Sequence, residues 1–399
     1  MLRVNRFLKV LGIVATIAAG LLSASAEKKV LDHTCFDDWK AVKNTGLSKS
    51  GEWAAYAVDP QEGDGILYFY NTKNGKEISI PRGYDASFTS DGKWGVALIR
   101  APYKVTRQAK IDKKKDFDLP QDTMVIVNLS TLEIEKVANV ISYKIGKDGG
   151  EWVAYSSCDT TWIKPKDLKD KDNGKPLIVR HLATGKEKVT KWVNDYVMSR
   201  AGDKVALKTS KCKSDSLSAN SVGIIFFPDT SYLLLDRDKE YYGVPVFDEN
   251  GTQLAYVVSN DSVKTGTRKA SVYWSRLSRQ MESPVEITSE FEGEKGEKLL
   301  PNHYTKPRFS HNGRRLISGV APIIAPDDTT IVEFEQPVLD IWRWDAPYTP
   351  PQELNRKDKL KEQTFPVVID LATMKQTLIT SNAFDKVSEP DRWDHSPAE

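Results

Sequence analysis

Short apolar runs alternate with polar, glycine-bearing turns along this chain, and one such phrase recurs. In Phe247-Asp-Glu-Asn-Gly-Thr-Gln-Leu-Ala-Tyr-Val-Val-Ser259, an Asn-Gly pair stands before the apolar run Leu254–Val258. Glycine, and less easily asparagine, tolerates the positive φ that a two-residue hairpin turn needs. A short apolar run bounded by polar residues reads as a strand buried on both faces. The phrase returns at Leu47–Val58, Phe88–Ile99, Ile145–Ser156, Met198–Thr209 and Phe309–Val320, with its glycine at Gly51, Gly92, Gly150, Gly202, Gly251 and Gly313. After each copy comes a partner strand, usually running into a second turn: Leu67–Ile80, Val125–Val137, Leu177–Val189, Ile224–Asp236, Ser271–Ile287 and Val367–Ile379. Short strands and turns repeating at this interval predict an all-β propeller of six to eight four-stranded blades, with a ring left incomplete at its C-terminal end as an open alternative. A β-sandwich does not need the same phrase to return.

Polar insertions separate the strands at Tyr103–Asp122, Asp159–Lys175, Lys211–Asn220 and Ser289–Lys306. They are expected on the rim or the two faces of the disc, where binding functions sit. From Val320 to Phe365 the pattern lapses. This stretch holds Asp340-Ile-Trp-Arg-Trp344, three prolines, and a charged run Glu353–Glu362 that reads as a short helix. The tryptophans around Arg343 have two readings, a rim packed on a neighbouring blade and an exposed cation-binding or docking surface; the packed rim is the expected one.

Composition changes this picture little. The 399 residues are 40% hydrophobic and 28% charged, with a formal net charge of +2. That balance gives no reason to expect nucleic acid as a partner. The basic runs at Lys110–Lys115 and Lys164–Lys175 are interleaved with aspartates and read as solvated loops. At the N-terminus, Arg3, Arg6 and Lys9 precede the apolar stretch Val10–Leu22 and the small-residue motif Ala24-Ser25-Ala26. This is the pattern of a secretory signal over residues 1–26, cleaved before Glu27. The apolar run is shorter than the roughly 20 residues of a membrane span. A single propeller domain over 27–399, exported to the periplasm or beyond, is therefore expected. Export makes one disulfide feasible among Cys35, Cys158 and Cys212, with Cys158 and Cys212 the expected pair. Cys35 lacks the preceding signature of a lipid anchor.

Several segments resemble one family. Leu31-Asp-His-Thr34, Phe36-Asp-Asp-Trp39, Pro60-Gln-Glu-Gly-Asp-Gly65, Thr106-Arg-Gln-Ala-Lys110 and Asp340-Ile-Trp-Arg-Trp344 resemble the propeller half of secreted serine peptidases of the prolyl-oligopeptidase family. The repeated phrase is also similar to that of Tol-type periplasmic propellers. The resemblance implies a propeller that gates and selects peptide substrates for an α/β-hydrolase domain. It does not extend to the catalytic half. No Gly-x-Ser-x-Gly elbow occurs in the chain, and none of His33, His181, His303, His311 and His395 stands in a general-base setting. In the dipeptidyl-peptidase branch a glutamate pair holds the substrate's amino terminus. Neither the run Glu290, Glu292, Glu294, Glu297 nor the pair Glu333, Glu335 reproduces it. No catalytic, cofactor or metal-binding residue is assigned, and no cofactor is expected. Glu389-Pro-Asp-Arg-Trp-Asp394 looks like the opening of another phrase. Two readings remain: the peptidase propeller, and a stand-alone periplasmic propeller that binds or scaffolds.

Overall fold

The computed structural model describes residues 32, 35–36, 39–263, 266–277, 283–287, 290–294, 296–326, 330, 332, 335, 339–346 and 348–382. The signal segment, His33, Glu333 and His395 lie outside them, as does the stretch Glu389–Asp394.

Six antiparallel blades follow one another. The first is β1 (Lys40–Leu47), β2 (Trp53–Pro60), β3 (Ile66–Asn71) and β4 (Glu77–Pro81), paired in that order. A continuous ladder of ten strands then holds the next three blades: β5 (Gly83–Phe88), β6 (Trp94–Ile99), β7 (Asp122–Asn128), β8 (Ile134–Ile145), β9 (Trp152–Ser157), β10 (Lys175–His181), β11 (Glu187–Met198), β12 (Lys204–Thr209), β13 (Ser221–Phe226) and β14 (Ser231–Arg237). The ladder is continuous because β8 and β11 each serve two blades. The first part of β8 pairs with β7 and the rest with β9; β11 divides in the same way between β10 and β12. Each of these strands bends at one left-handed residue, Asn139 (φ 60°) or Trp192 (φ 63°). Arg82 (φ 62°) and Asp238 (φ 66°) occupy the same place between β4 and β5 and after β14. Four crossovers from outer to inner strand thus share one backbone device, set on residues for which it is uncommon.

In the last two blades the inner strand is broken. The fifth has β15 (Tyr241–Tyr242) and β16 (Val246–Phe247) along β17 (Gln253–Ser259), followed by β18 (Ser271–Arg276) and β19 (Val285–Glu286). In the sixth, a small hairpin of β20 (Phe291–Glu292) and β21 (Lys298–Leu300) precedes β22 (Arg308–Phe309). Both β21 and β22 pair with β23 (Arg315–Pro322), which is followed by β24 (Phe365–Asp370) and β25 (Gln376–Leu378).

Alternation along the strands stacks the blades, because neighbouring side chains leave opposite faces of a sheet. In β6, Ala97 and Ile99 join Leu67 and Phe69 of the first blade, while Val96 and Leu98 join Val153 and Ile178 of the third. Ala154 and Val179 then meet Val205 and Leu207. Ala206 and Ile224 meet Leu254 and Tyr256, and Val257 and Trp274 meet Leu316 and Val367. Five inter-blade cores result, and each large side chain buried in them contributes about 1.5–3 kcal/mol. Among the described residues, no such core joins the sixth blade to the first. The outer face of the first blade leaves Val42, Ile66 and Tyr70 exposed beside the stacked rings of Tyr56 and Tyr68.

The repeated turns are longer than the two-residue hairpins read from the sequence. Only the glycine is left-handed, at φ 65–71° for Gly51, Gly92, Gly202, Gly251 and Gly313. The first turn residue closes the loop with its side chain: Ser48, Thr89, Asp248 and Ser310 each accept the backbone N–H five residues on. Gly150 is the exception. It is not left-handed, and a Cβ there would stand 2.8 Å from the Asp91 carboxyl carbon.

Cys158 and Cys212 are both buried and both free, which corrects the expected disulfide. Cys158 Sγ donates to the Asn139 carbonyl at 3.4 Å, whereas Cys212 packs with Ile163, Leu168 and Trp192. The two thiols are held in different environments.

Candidate functional site

The connections divide between two faces. The phrase turns lie on one, where they meet each other. Ser90 N–H donates to the Gly149 carbonyl at 3.0 Å, and Asp148 N–H to that of Arg200 at 2.8 Å. The Asp148 carboxylate pairs with Lys49 Nζ at 3.2 Å and Arg200 Nε at 2.5 Å, and Arg200 also pairs with Glu249. This chain of charges ties the turns of the first, third, fourth and fifth blades. Hydrogen bonds to Arg200 and then Lys49 hold the Asp148 carboxyl below the usual carboxylate range.

The long insertions leave from the other face, between the second and third strands of a blade or, for Ser289–Lys306, at the crossover from the fifth blade to the sixth. They carry α1 (Tyr103–Ile111), α2 (Pro165–Lys169) and α3 (Pro350–Glu362). The charged run read as a short helix is α3, begun by a capping box between Thr349 and Gln352. Neighbouring insertions brace one another. Tyr103 Oη donates to Glu62 at 2.5 Å, Lys169 pairs with Asp118 at 2.7 Å, and Phe117 packs on the small core of Ile163, Leu168, Trp192 and Cys212.

On this loop face, the broken inner strands of the last two blades bring chemistry together. Tyr241 of β15 donates its hydroxyl to the His303 carbonyl at 3.2 Å. Arg268, from the insertion of the fifth blade, donates its backbone N–H to His303 Nδ1 at 3.0 Å, and its Nε bonds the Val263 carbonyl at 2.8 Å. The Arg268 guanidinium and Lys208 Nζ each lie 5.8 Å from the centre of the Tyr241 ring. Lys208 also pairs with Asp195 at 3.0 Å. The rings of His303 and Tyr304 are 3.9 Å apart. Burial, followed by the Arg268 charge, lowers the His303 pKa from its ordinary value.

Tyr304 also forms one wall of a cavity of about 350 Å³ against the sixth blade. Lys306, Arg308, Ser318, Glu362 and Phe365 line it too. Burial lowers the Arg308 pKa. The Ser318 hydroxyl and, at the foot of the cluster, the fully buried Asn302 Nδ2 have no partner among the described residues. Each such orphan costs about 1–3 kcal/mol unless a ligand or water satisfies it. Chemically, the region offers donors, cations and aromatic faces. That suits a polar, extended ligand.

The structure does not bring the other singled-out residues here. His181 closes a turn by accepting the Thr184 N–H at its Nδ1, and His311 lies in the exposed turn of the sixth blade. Glu290 pairs with Lys298 at 2.7 Å on the surface, and Glu335 is exposed. Trp342 and Trp344 are 68% and 98% exposed, and Arg343 is held in a bidentate pair by Asp345. The tryptophans therefore do not pack on a neighbouring blade, and the guanidinium between them is engaged. Among the described residues, no group of three or more His, Cys, Asp or Glu side chains could hold a metal ion, and no helix is long and apolar enough to cross a membrane. Sequence reading missed Arg268 and Tyr241, whose partner His303 is 35 and 62 residues away along the chain.

No family model and no curated protein matches the sequence. Among solved structures the chain is similar to TolB from Acinetobacter baumannii, at 15% identity over 62% of this chain and 57% of that chain, with a TM-score of 0.29. It is similar to an acylaminoacyl peptidase from Pyrococcus horikoshii, at 11% identity over 73% of this chain and 44% of that chain, TM-score 0.38. It is also similar to an oligogalacturonate lyase from Vibrio parahaemolyticus, at 12% identity over 87% of this chain and 79% of that chain, TM-score 0.38. The chain thus spans less than two thirds of the first two proteins. Likeness at this level bears on no activity.

Proposed function

We propose that this chain is the non-catalytic propeller of an exported serine peptidase of the prolyl-oligopeptidase kind, and that its loop face selects peptides for a hydrolase domain. One observation carries the reading: the long insertions leave from one face, and there Lys306, Arg308, Tyr304, Phe365 and a Ser318 hydroxyl without a partner among the described residues line a cavity. A peptide backbone presents carbonyls to such donors, and its side chains present apolar area to Tyr304 and Phe365. The signal pattern of residues 1–26 and the family-like segments support export and the peptidase link.

The test uses the pure 399-residue protein and a fluorescent pool of random octapeptides free of Asp and Glu. The pool should bind, with affinity reduced in Tyr304→Ala and unchanged in Arg200→Ala on the opposite face. The same protein should not cleave chromogenic dipeptide substrates. Absence of pool binding, or loss only in Arg200→Ala, contradicts the reading. Cleavage by the isolated chain contradicts its non-catalytic part. A stand-alone binding propeller would show the same affinity, but its reading frame would end without a hydrolase domain.

A further inference from the structure

We propose that Arg268 and His303 form a carboxylate-binding site that anchors the C-terminal end of the bound peptide. The inference deepens the peptide reading above and rests on it for the identity of the ligand.

His303 Nδ1 accepts the Arg268 backbone N–H, so the proton of the neutral ring sits on Nε2. Burial and the nearby guanidinium keep the ring in that neutral form. His303 Nε2–H is therefore a donor, and no acceptor for it stands among the described residues. Arg268 spends its Nε on the Val263 carbonyl, and among the described residues no carboxylate lies within ion-pair distance of its remaining nitrogens. A half-buried guanidinium without a counter-ion is costly, and it presents the planar fork that matches a carboxylate.

Among the neighbouring charges, the cations Lys208, Lys306 and Arg308 favour an incoming anion, and Asp261 and Glu362 oppose it. Asp195 is engaged by Lys208 at 3.0 Å. Asp261 is the charge that opposes an anion here, since its carboxylate acts on His303 against the Arg268 charge, and its two oxygens are occupied by the backbone N–H groups of Val263 and Lys269 at 3.0 and 3.3 Å. Lys208 lies beside the same Tyr241 ring, and Lys306 and Arg308 line the adjoining cavity. Fully buried Asn302, next to His303, adds an unpaired Nδ2 donor. The carboxylate would sit at the Arg268 end, with the rest of the peptide running past Tyr304 into the cavity.

Two ligand pairs test the assignment. N-acetyl-tyrosine and its amide are titrated into protein with isotope-labelled histidine, and the His303 ring resonances are followed. The acid should shift them and the amide should not. Arg268→Gln should weaken the response to the acid about ten-fold, the loss of a charge-assisted bond, and Arg268→Lys should fall between. The octapeptide pool is then measured as free acid and as C-terminal amide on the same variants, after melting curves have shown them folded. The acid should bind more tightly than the amide in wild type, and the difference should vanish in Arg268→Gln. Equal response of His303 to acid and amide, no response to either, or acid binding undiminished in Arg268→Gln overturns the proposal. Peptides that bind equally as acid and amide leave the peptide reading standing and sink this one. An N-acetyl-tyrosine response that depends on Arg268, with no pool binding, upholds the carboxylate site and sinks the peptide reading.

Discussion

The two faces of the disc are built from the same blades by opposite means. On the turn face, neighbouring loops touch backbone to backbone. A Cβ on Gly146 would fall inside the contact radius of the Gly202 main chain, and one on Gly149 would stand 2.9 Å from Gly202 Cα. Charged groups there form the Lys49, Asp148, Arg200 and Glu249 chain. On the loop face the chain is long and irregular, and the Ser318 hydroxyl and Asn302 Nδ2 lack partners among the described residues, while Arg268 spends only its Nε, on the Val263 carbonyl. Satisfied, close-packed surfaces hold a shape, whereas unsatisfied ones await a ligand.

The largest effect should come from breaking the close approach on the turn face. Gly146→Ala forces two main chains apart and should cost about 1–3 kcal/mol, the range for overpacking. Denaturant unfolding would check it, and an unchanged midpoint would mean that the turns are not in contact. The loop face should respond through the imidazole rather than through stability. Burial depresses the folded pKa of His303 below 6.5. Its contribution is therefore present above the ordinary imidazole value and lost as the pH falls through the depressed one. His303 should titrate below the ordinary imidazole value by NMR, and a bound carboxylate should raise its pKa.

Arg200→Ala should have a smaller effect, because its partners are solvent-exposed. The folded Asp148 carboxyl is depressed. That stabilisation is present above the unfolded carboxylate pKa and lost as the pH falls through the folded value. The difference between wild type and Arg200→Ala in melting temperature should therefore shrink in acid and at high salt. The smallest effect belongs to Trp344→Ala, which removes a ring that is 98% exposed. Its melting curve should match wild type, and a clear loss of stability would place the tryptophan in a packed rim after all.

Much of the fold was legible because it is local. The recurrent turn, the apolar run behind it and the partner strand each occupy a dozen residues or so, and glycine marked the left-handed position in five of six copies. Gly150 misled because its lack of a Cβ serves the approach to Asp91 rather than a left-handed turn. The crossovers were illegible, since Arg82, Asn139, Trp192 and Asp238 adopt a conformation that their identities do not announce. The cysteine pairing failed because two thiols in one chain need not point at each other, and these two are held in different environments. The candidate site was the least legible part. Its donors come from different blades, and the breaks in the inner strands that bring Tyr241, Arg268 and His303 together have no counterpart in the repeated phrase.

The most direct test of the account is to map where peptides lie on the protein. Octapeptides carrying a photoreactive benzophenone should be cross-linked to the 399-residue chain, and the attachment points read by mass spectrometry. The account predicts adducts around Tyr241, Arg268, Tyr304 and Phe365 on the loop face. Adducts concentrated on the turns around Lys49, Asp148 and Arg200 would contradict it.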